Sequence, residues 1–209
     1  TTITDRYYGF ESLALASLRA PSSVDRRLCA LPALQPGVVS EDQKLALGRA
    51  WIGQWTSAGI WFQGMNPSWW KTPRGVRPHS GRFRALDVYL DSQESKRAFE
   101  REWLPVLLES LCEGVGGRQF RLRASRVRLD LGSVWGYCQA CRTTQRPFPG
   151  TDLCSACGKD RVVVLDPDVD PVFAARKGYY RASSVRALAD PPETPMAIIA
   201  AEHTAQLNS

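Results

Sequence analysis

The chain has 209 residues, 44% of them hydrophobic and 23% charged, with a formal charge of +6 and a pI of about 9.2. That length and apolar content suffice for a substantial core, and no low-complexity block interrupts it, which excludes a disordered or fibrous chain. No signal-peptide pattern is read in these residues and no apolar run among them is long enough to cross a bilayer, so neither is expected, while the basic balance permits an anionic partner without naming one.

The chain opens on Thr1-Thr2-Ile3 without a methionine and stops at Leu207-Asn208-Ser209 just after an apolar run. Those ends read as cut, and the expectation is a piece of a longer protein. From Asp5 to Leu18 a short helix is expected, ending before Pro21, because Tyr7, Phe10, Leu13 and Leu18 recur near helical spacing. Residues 20–37 carry three prolines and little periodicity, and they read as a connector. Ser40-Glu41-Asp42-Gln43 matches a capping box, in which serine and glutamine exchange backbone hydrogen bonds at a helix start. The helix it opens runs to about Ser57 and places Leu45, Leu47, Trp51, Ile52 and Trp55 broadly on one side, a core-building face.

Residues 61–84 differ in character. Lys71, Arg74, Arg77, Arg82 and Arg84 bring five positive charges with no acid among them, and Trp61, Phe62, Trp69, Trp70 and Phe83 are interleaved. Aromatic faces beside guanidinium groups suit stacked bases and a phosphate backbone, with Trp69 and Trp70 as the candidate stackers. The competing reading is that these tryptophans pin a proline-rich loop to a core. His79 reads as a lone solvated side chain.

Ala85 to Leu90 alternates as a strand. Ser92 then caps a helix through Phe99 and Trp103, which continues past Pro105 to Leu111 with a kink or a break and is ended by Gly114, Gly116 and Gly117. In residues 118–131, Phe120 and Leu122 alternate with Arg121 and Arg123, and Val127 and Leu129 alternate with Arg126 and Arg128. The phase slips at Ala124-Ser125, so a turn or bulge joins two strands there. The four arginines are either a solvated sheet face or a basic strip for phosphates, and the alternation serves both.

Two Cys-x-x-Cys pairs follow, Cys138/Cys141 and Cys154/Cys157, separated by a polar loop bearing proline and glycine. Each pair forms a tight knuckle whose two thiolates point the same way, and two knuckles close a tetrahedron around one Zn²⁺. Gly158 follows the second pair, where a backbone without Cβ folds under the sulfurs at little steric cost. Two disulfides or a redox Cys-x-x-Cys are the rivals, and the ribbon spacing favours zinc. Four thiolates leave no open position for substrate, so the zinc is expected to be structural, which disfavours a metal-dependent enzyme. Cysteines used for metal point to a reducing, cytoplasmic setting, and Cys29 and Cys112 read as small core residues. Trp135 and Tyr137 lead into the first knuckle, and Arg161 to Leu165 leaves the second, as the paired arms of a ribbon.

Asp166, Asp168 and Asp170 alternate, but the intervening Pro167 and Val169 argue against a calcium loop, and a helix cap at Asp170-Pro171 is the plainer reading. Residues 172–181 are expected to be a short helix ending at Gly178. Pro191 and Pro192 mark a linker, and the apolar run from Met196 fits a buried parallel strand. The sequence holds no G-x-x-x-x-G-K-[ST] phosphate loop and no D-E-x-[HD] box, and its two histidines, His79 and His203, assemble no catalytic constellation.

The ribbon, then D-P-V-F-A-A-R-K-G-Y-Y-R at 170–181, then I-I-A-A-E-H-T-A-Q-L at 198–207, resemble one segment of large DEAD/DEAH-type helicases, with Y-Y-G-F-E-S-L-A-L-A near the N-terminus agreeing more weakly. That segment lies between, and enters, the two RecA-like lobes in the MrfA- and DrmA-like group, which includes motors of bacterial anti-phage systems. Glu202 to Gln206 resembles the tract that opens the second lobe. The resemblance implies ATP-driven translocation or unwinding by a parent protein, with the other motor domains in cis or in trans.

The expected fold is α+β: a helical and mixed-β accessory region over 1–130, an inserted four-cysteine zinc ribbon over 131–166, and a linker helix and strand over 167–209 leading toward a RecA-like lobe. The expected function is an accessory, zinc-binding, nucleic-acid-contacting part of an ATP-dependent helicase, with DNA or RNA as partner and no membrane. The alternative is a zinc-stabilised interaction module that docks a partner subunit.

Overall fold

A computed structural model describes residues 8–58, 75–78, 86–132 and 134–189. The first described stretch makes one helical turn, with Leu13 N–H on the Gly9 carbonyl at 3.0 Å, and stops because Ala14 takes a left-handed φ of 52°. The helix expected over 5–18 is therefore a single turn in its described part. Leu13 to Ser17 are buried in unbroken succession, and β1 (Ser17–Arg19) leaves as a strand.

The expected connector contains a helix, α1 (Ser22–Cys29). Pro21 sits just before it, where no N–H is needed, and Val24 and Leu28, four apart, bury the inner face. One turn's worth of pattern between prolines was too short to register as periodicity. The capping box forms as read: Gln43 N–H meets Ser40 Oγ at 3.2 Å and Ser40 N–H meets Gln43 Oε1 at 3.0 Å. It starts α2 (Glu41–Ala58), which buries Leu47, Trp51, Ile52 and Trp55. α1 packs on α2 so closely that a Cβ on Gly48 would lie 2.6 Å from Leu28 Cδ1.

Residues 86–89 are a 3₁₀ turn and not the strand expected there, because Leu86, Tyr89 and Leu90 face the core at helical spacing. Ser92 Oγ accepts the Ser95 N–H at 3.0 Å and starts α3 (Gln93–Ala98). A π-turn (Phe99–Trp103) then leads to α4 (Leu104–Leu111). The helix runs on past Pro105 without a break, by way of this wider turn. Pro105 has no N–H and crowds the preceding turn, and widening the helix by one residue relieves it, with Leu104 N–H reaching Phe99.

The glycines after Leu111 do not end that helix; they lie in and beside a hairpin, β2 (Cys112–Gly116) against β3 (Gln119–Leu122), with Cys112 opposite Leu122 and Glu113 opposite Arg121. The phase slip at Ala124-Ser125 is a 3₁₀ turn, after which β4 (Arg128–Asp130) pairs with β1. β5 (Trp135–Cys138) is the middle strand of a three-stranded antiparallel sheet, between β6 (Thr144–Gln145) and β7 (Val162–Leu165). β5 and β7 are the paired ribbon arms.

Asp170 caps the last described helix, its Oδ1 accepting the Phe173 N–H at 2.7 Å. This helix, α5 (Pro171–Leu188), does not end at Gly178. A mid-helix glycine costs about 1 kcal/mol, and Arg181 offsets it by reaching the Leu13 and Ala14 carbonyls and Asp168. The strand expected from Met196 lies outside the described residues. The fold is α+β, small antiparallel sheets around a helical core with a four-cysteine ribbon. Among the described residues no helix is long and apolar enough to cross a membrane.

Candidate metal centre

The two knuckles are built by the same hydrogen bonds at the same offsets. In the first, Arg142 N–H returns to the Cys138 carbonyl at 2.7 Å and Cys138 N–H reaches the Thr143 carbonyl at 3.0 Å. In the second, Gly158 N–H returns to the Cys154 carbonyl at 2.8 Å and Cys154 N–H reaches the Lys159 carbonyl at 3.0 Å. Each turn closes through a residue at positive φ, Arg142 at 64° and Gly158 at 72°. This places the sulfurs of each pair on the same side, as the spacing predicts.

All four Sγ atoms lie within 4.8 Å of one another. Across the knuckles, Cys138 lies 3.7 Å from Cys157 and Cys141 lies 3.6 Å from Cys154. A tetrahedral zinc with arms of about 2.3 Å to sulfur needs edges of about 3.8 Å, and a disulfide needs about 2.05 Å. The four cysteines can hold a metal ion, and the spacing fits one of zinc's size.

The thiols differ in how readily they lose a proton. Burial pushes Cys154 and Cys157 up. Burial also opposes the Cys141 thiolate, but hydrogen bonds from Thr143 and the neighbouring cysteines outweigh it and bring its pKa down to about 7. A divalent metal must displace these protons, so binding weakens in acid. Cys138 and Cys154 are fully buried, Cys141 is half-buried and Cys157 is exposed. Cys112 is buried, as expected of a core residue, and Cys29 is half-buried.

The ribbon has little apolar core of its own: among the described residues, Val162 is the one buried aliphatic side chain clustered with the sulfurs. Elsewhere it leans on the rest of the chain. Phe148 stacks on Tyr89 at 4.0 Å and joins the helical core, and Gln43 and Gln54 of α2 donate to the Pro149 and Ser155 carbonyls at 3.2 and 3.3 Å. Trp135 and Leu165 pack with Ala14 and Phe173.

Of the expected nucleic-acid residues, Trp69, Trp70, Lys71, Arg74, Arg82 and Arg84 lie outside the described residues, as do His79 and His203. Arg77 is exposed. Arg121 and Arg123 both face Glu113, at 3.3 and 3.8 Å. Arg126 donates to the Glu109 and Cys112 carbonyls, and Arg128, exposed, to those of Ser125 and Val127. Arg121 lies in β3 and Arg128 in β4, strands that belong to separate sheets.

Sequence reasoning passed over Arg146. Its side chain, 8% exposed, lies over Trp135 at 4.3 Å and reaches Ser17 Oγ at 3.0 Å, the Val134 carbonyl at 2.6 Å and Asp130 at 3.4 Å. It ties the ribbon to β1 and β4 with partners up to 129 residues away, and no local signal marks it.

An α+β chain with a four-cysteine ribbon is therefore what fold and site define. A stretch of 86 residues, 41% of this chain, is 35% identical to Druantia protein DruE of Escherichia coli (strain UMEA 4076-1). The chain spans 5% of that protein's length. No family model matches the chain, and no solved structure matches it.

Proposed function

We propose that this chain is a zinc-held, nucleic-acid-contacting accessory part of an ATP-dependent DEAD/DEAH-type helicase of the MrfA- and DrmA-like group, working in anti-phage defence. The observation that carries the reading is the four-sulfur cluster followed directly by the capped helix whose 170–181 sequence resembles that group. Identity to a short stretch of the much longer DruE supports treating the chain as one unit of a large machine.

Zinc in this site is structural: four thiolates fill its coordination and fix the two knuckles against each other. The domains fall at 1–130, 131–166 and 167–209, and the basic segments at 71–84 and 118–128 guide a DNA or RNA strand toward the motor. The chain alone turns over no ATP, because its sequence has no phosphate-cradling loop. The setting is cytoplasmic.

Binding of a labelled single-stranded oligonucleotide across salt concentrations tests this. Each neutralised phosphate contributes about −0.7 to the slope of log K against log[salt]. Replacing Arg121 and Arg123 with glutamate should flatten the slope by roughly one to two units. No measurable binding by the zinc-loaded chain at low salt would sink the nucleic-acid reading.

One observation favours the alternative, an interaction module. α5 buries Phe173 and leaves Val172, Tyr179, Val185 and Leu188 exposed over its 18 residues. If V172D/V185D abolishes assembly with a partner subunit while oligonucleotide binding is absent from the parent chain, docking is the function.

A further inference from the structure

A cleft of about 770 Å³ opens between α2, the first knuckle and the start of α5. Its charged lining is Arg49, Arg142, Arg146, Arg176 and Lys177 against a single acid, Glu11. Asp130 takes up part of this charge, lying 3.2 Å from Arg49 and 3.4 Å from Arg146. A zinc–thiolate centre at its edge would be doubly negative. Even with both set against them, the cleft remains cationic.

Two of these cations are uncommitted. Among the described residues, the side chains of Arg142 and Arg176 are exposed and form neither an ion pair nor a hydrogen bond. This contrasts with Arg121, Arg123 and Arg126, each held by an acid or by backbone carbonyls. Arg49 adds a third donor, its Nε buried with no hydrogen-bond partner. A guanidinium N–H left without an acceptor in a walled cleft is costly unless something supplies one.

Glu11 opposes this field only in part. Burial raises its pKa to about 7, against the pull of Arg146 and Arg49, so near neutrality it is protonated about half the time. The remaining lining of hydroxyls and amides, Ser12, Thr56, Thr143 and Gln54 among them, suits phosphate and sugar oxygens.

At the rim by Lys177 stands an aromatic group. Tyr8 and Tyr180 are 4.2 Å apart, Tyr179 meets Tyr180 edge-on at 5.4 Å, and Lys177 Nζ lies 5.8 Å from the Tyr8 ring. Tyr179 is 86% exposed. Open rings beside a cationic groove are the two parts that sequence-tolerant binding of single strands requires.

We propose that this cleft is a binding site for single-stranded nucleic acid, in which Arg142, Arg176 and Arg49 hold successive phosphates and Tyr179, with Tyr8 and Tyr180, stacks bases at the rim. The site draws on none of the residues of the 71–84 and 118–128 segments, and it deepens the nucleic-acid reading on which it rests.

The test uses the full zinc-loaded chain and a labelled oligothymidine 20-mer, its affinity measured across salt concentrations. R142Q/R176Q should weaken binding at least tenfold and flatten the salt slope by about 1.4, two phosphates' worth. Y179A should weaken it by roughly five- to a hundredfold with the slope unchanged, because stacking releases no counterions. R176Q alone, remote in sequence from the sulfurs, should give half the slope change, which guards against a folding defect near Cys141. If thymidine monophosphate competes as well as the oligonucleotide at equal phosphate, the site takes a small phosphate ester and the strand proposal falls. If R142Q/R176Q leaves affinity and slope intact while R121Q/R123Q flattens the slope, the cleft is not the site and the broader reading stands. Should the parent chain bind no oligonucleotide at all, both fall together.

Discussion

The two knuckles reach the same backbone by different means. Cys154–Cys157 is followed by glycine at the left-handed position, the residue with least to lose there, and Cys138–Cys141 is followed by Arg142, which has a Cβ to accommodate. Their surroundings differ as well. The second is laced to β6 by Gln145, 4% exposed, whose Oε1 accepts from the Ser155 N–H and hydroxyl at 3.0 Å each and whose Nε2 donates to the Leu153 carbonyl at 3.3 Å. Both border the cleft, the second through Ser155, Ala156 and Cys157, and the first has the Thr143 hydroxyl 3.3 Å from Cys141 Sγ. That both turns close identically despite this teaches that the sulfur geometry, and not local propensity, sets the knuckle. It also shows that the first turn carries a residue its backbone does not favour.

The comparison breaks most severely if the sulfurs do not share one metal. Chelation of zinc, C138S and C154S should each unfold residues near 135–165 to the same extent, because losing either knuckle releases the other. Hydrogen exchange should show those amides exposed while the core around Trp51, Trp55 and Trp103, built of helices, keeps its protection. A native chain with no zinc by elemental analysis, or a C138S variant that retains full protection, would overturn the shared-metal reading.

Next in size is the lacing of the second knuckle. Q145A removes three hydrogen bonds from a buried side chain and leaves their partners short, a cost of about 2–3 kcal/mol. Zinc should leave faster from this variant than from T143A, whose lost contact is a single one at the first knuckle. Equal release rates would mean that the second knuckle needs no such support.

Much of this was legible from the chain alone, wherever the signal is local. The Cys-x-x-Cys spacing, the Ser40/Gln43 box and the Ser92 and Asp170 caps each depend on partners within a few residues, and each formed as read. Local signals failed where a distant partner decides. Nothing local announced that the hairpin register sets Glu113 opposite Arg121. Gly178 looked like a helix end until Arg181 anchored the helix beyond it to carbonyls more than 160 residues away. The cleft was hidden for the same reason. Glu11, Arg49, Arg142 and Arg176 share no motif, and only the docking of the ribbon on α2 and α5 brings them together.

A smaller effect sharpens the contrast between cleft and core. Glu11 folds with its pKa raised to about 7 from 4.5, mainly by burial. A raised carboxyl stabilises fully below its unfolded pKa, and that contribution is lost as pH rises through 7, where the buried group must ionise. E11Q should therefore be about 1–2 kcal/mol more stable than the parent at pH 8, after discount for partial exposure, and equal to it at pH 4. Thermal melts at the two pH values check the sign, and a parent chain that gains stability from pH 5 to pH 8 through this residue would contradict it.

The smallest prediction addresses the asymmetry directly. Among the described residues a Cβ at Gly158 would meet only Val88 Cγ2, at 4.0 Å, which is ordinary contact, so G158A probes the backbone. Alanine at a φ of 72° costs roughly 1–2 kcal/mol and regains about half of that by stiffening the unfolded chain, for a net loss of about 0.5–1 kcal/mol. R142G should run the other way and stabilise by about the same amount, since glycine relieves the strain at 64° while losing more entropy on folding. The two variants thus move stability in opposite directions at equivalent points of the two knuckles. If Arg142 holds a phosphate, R142G also weakens oligonucleotide binding while it raises the melting temperature. A gain in stability coupled to a loss in binding is what a residue kept for its charge, against its backbone, would show. Unchanged binding in the stabilised variant would leave the strain at Arg142 without a function.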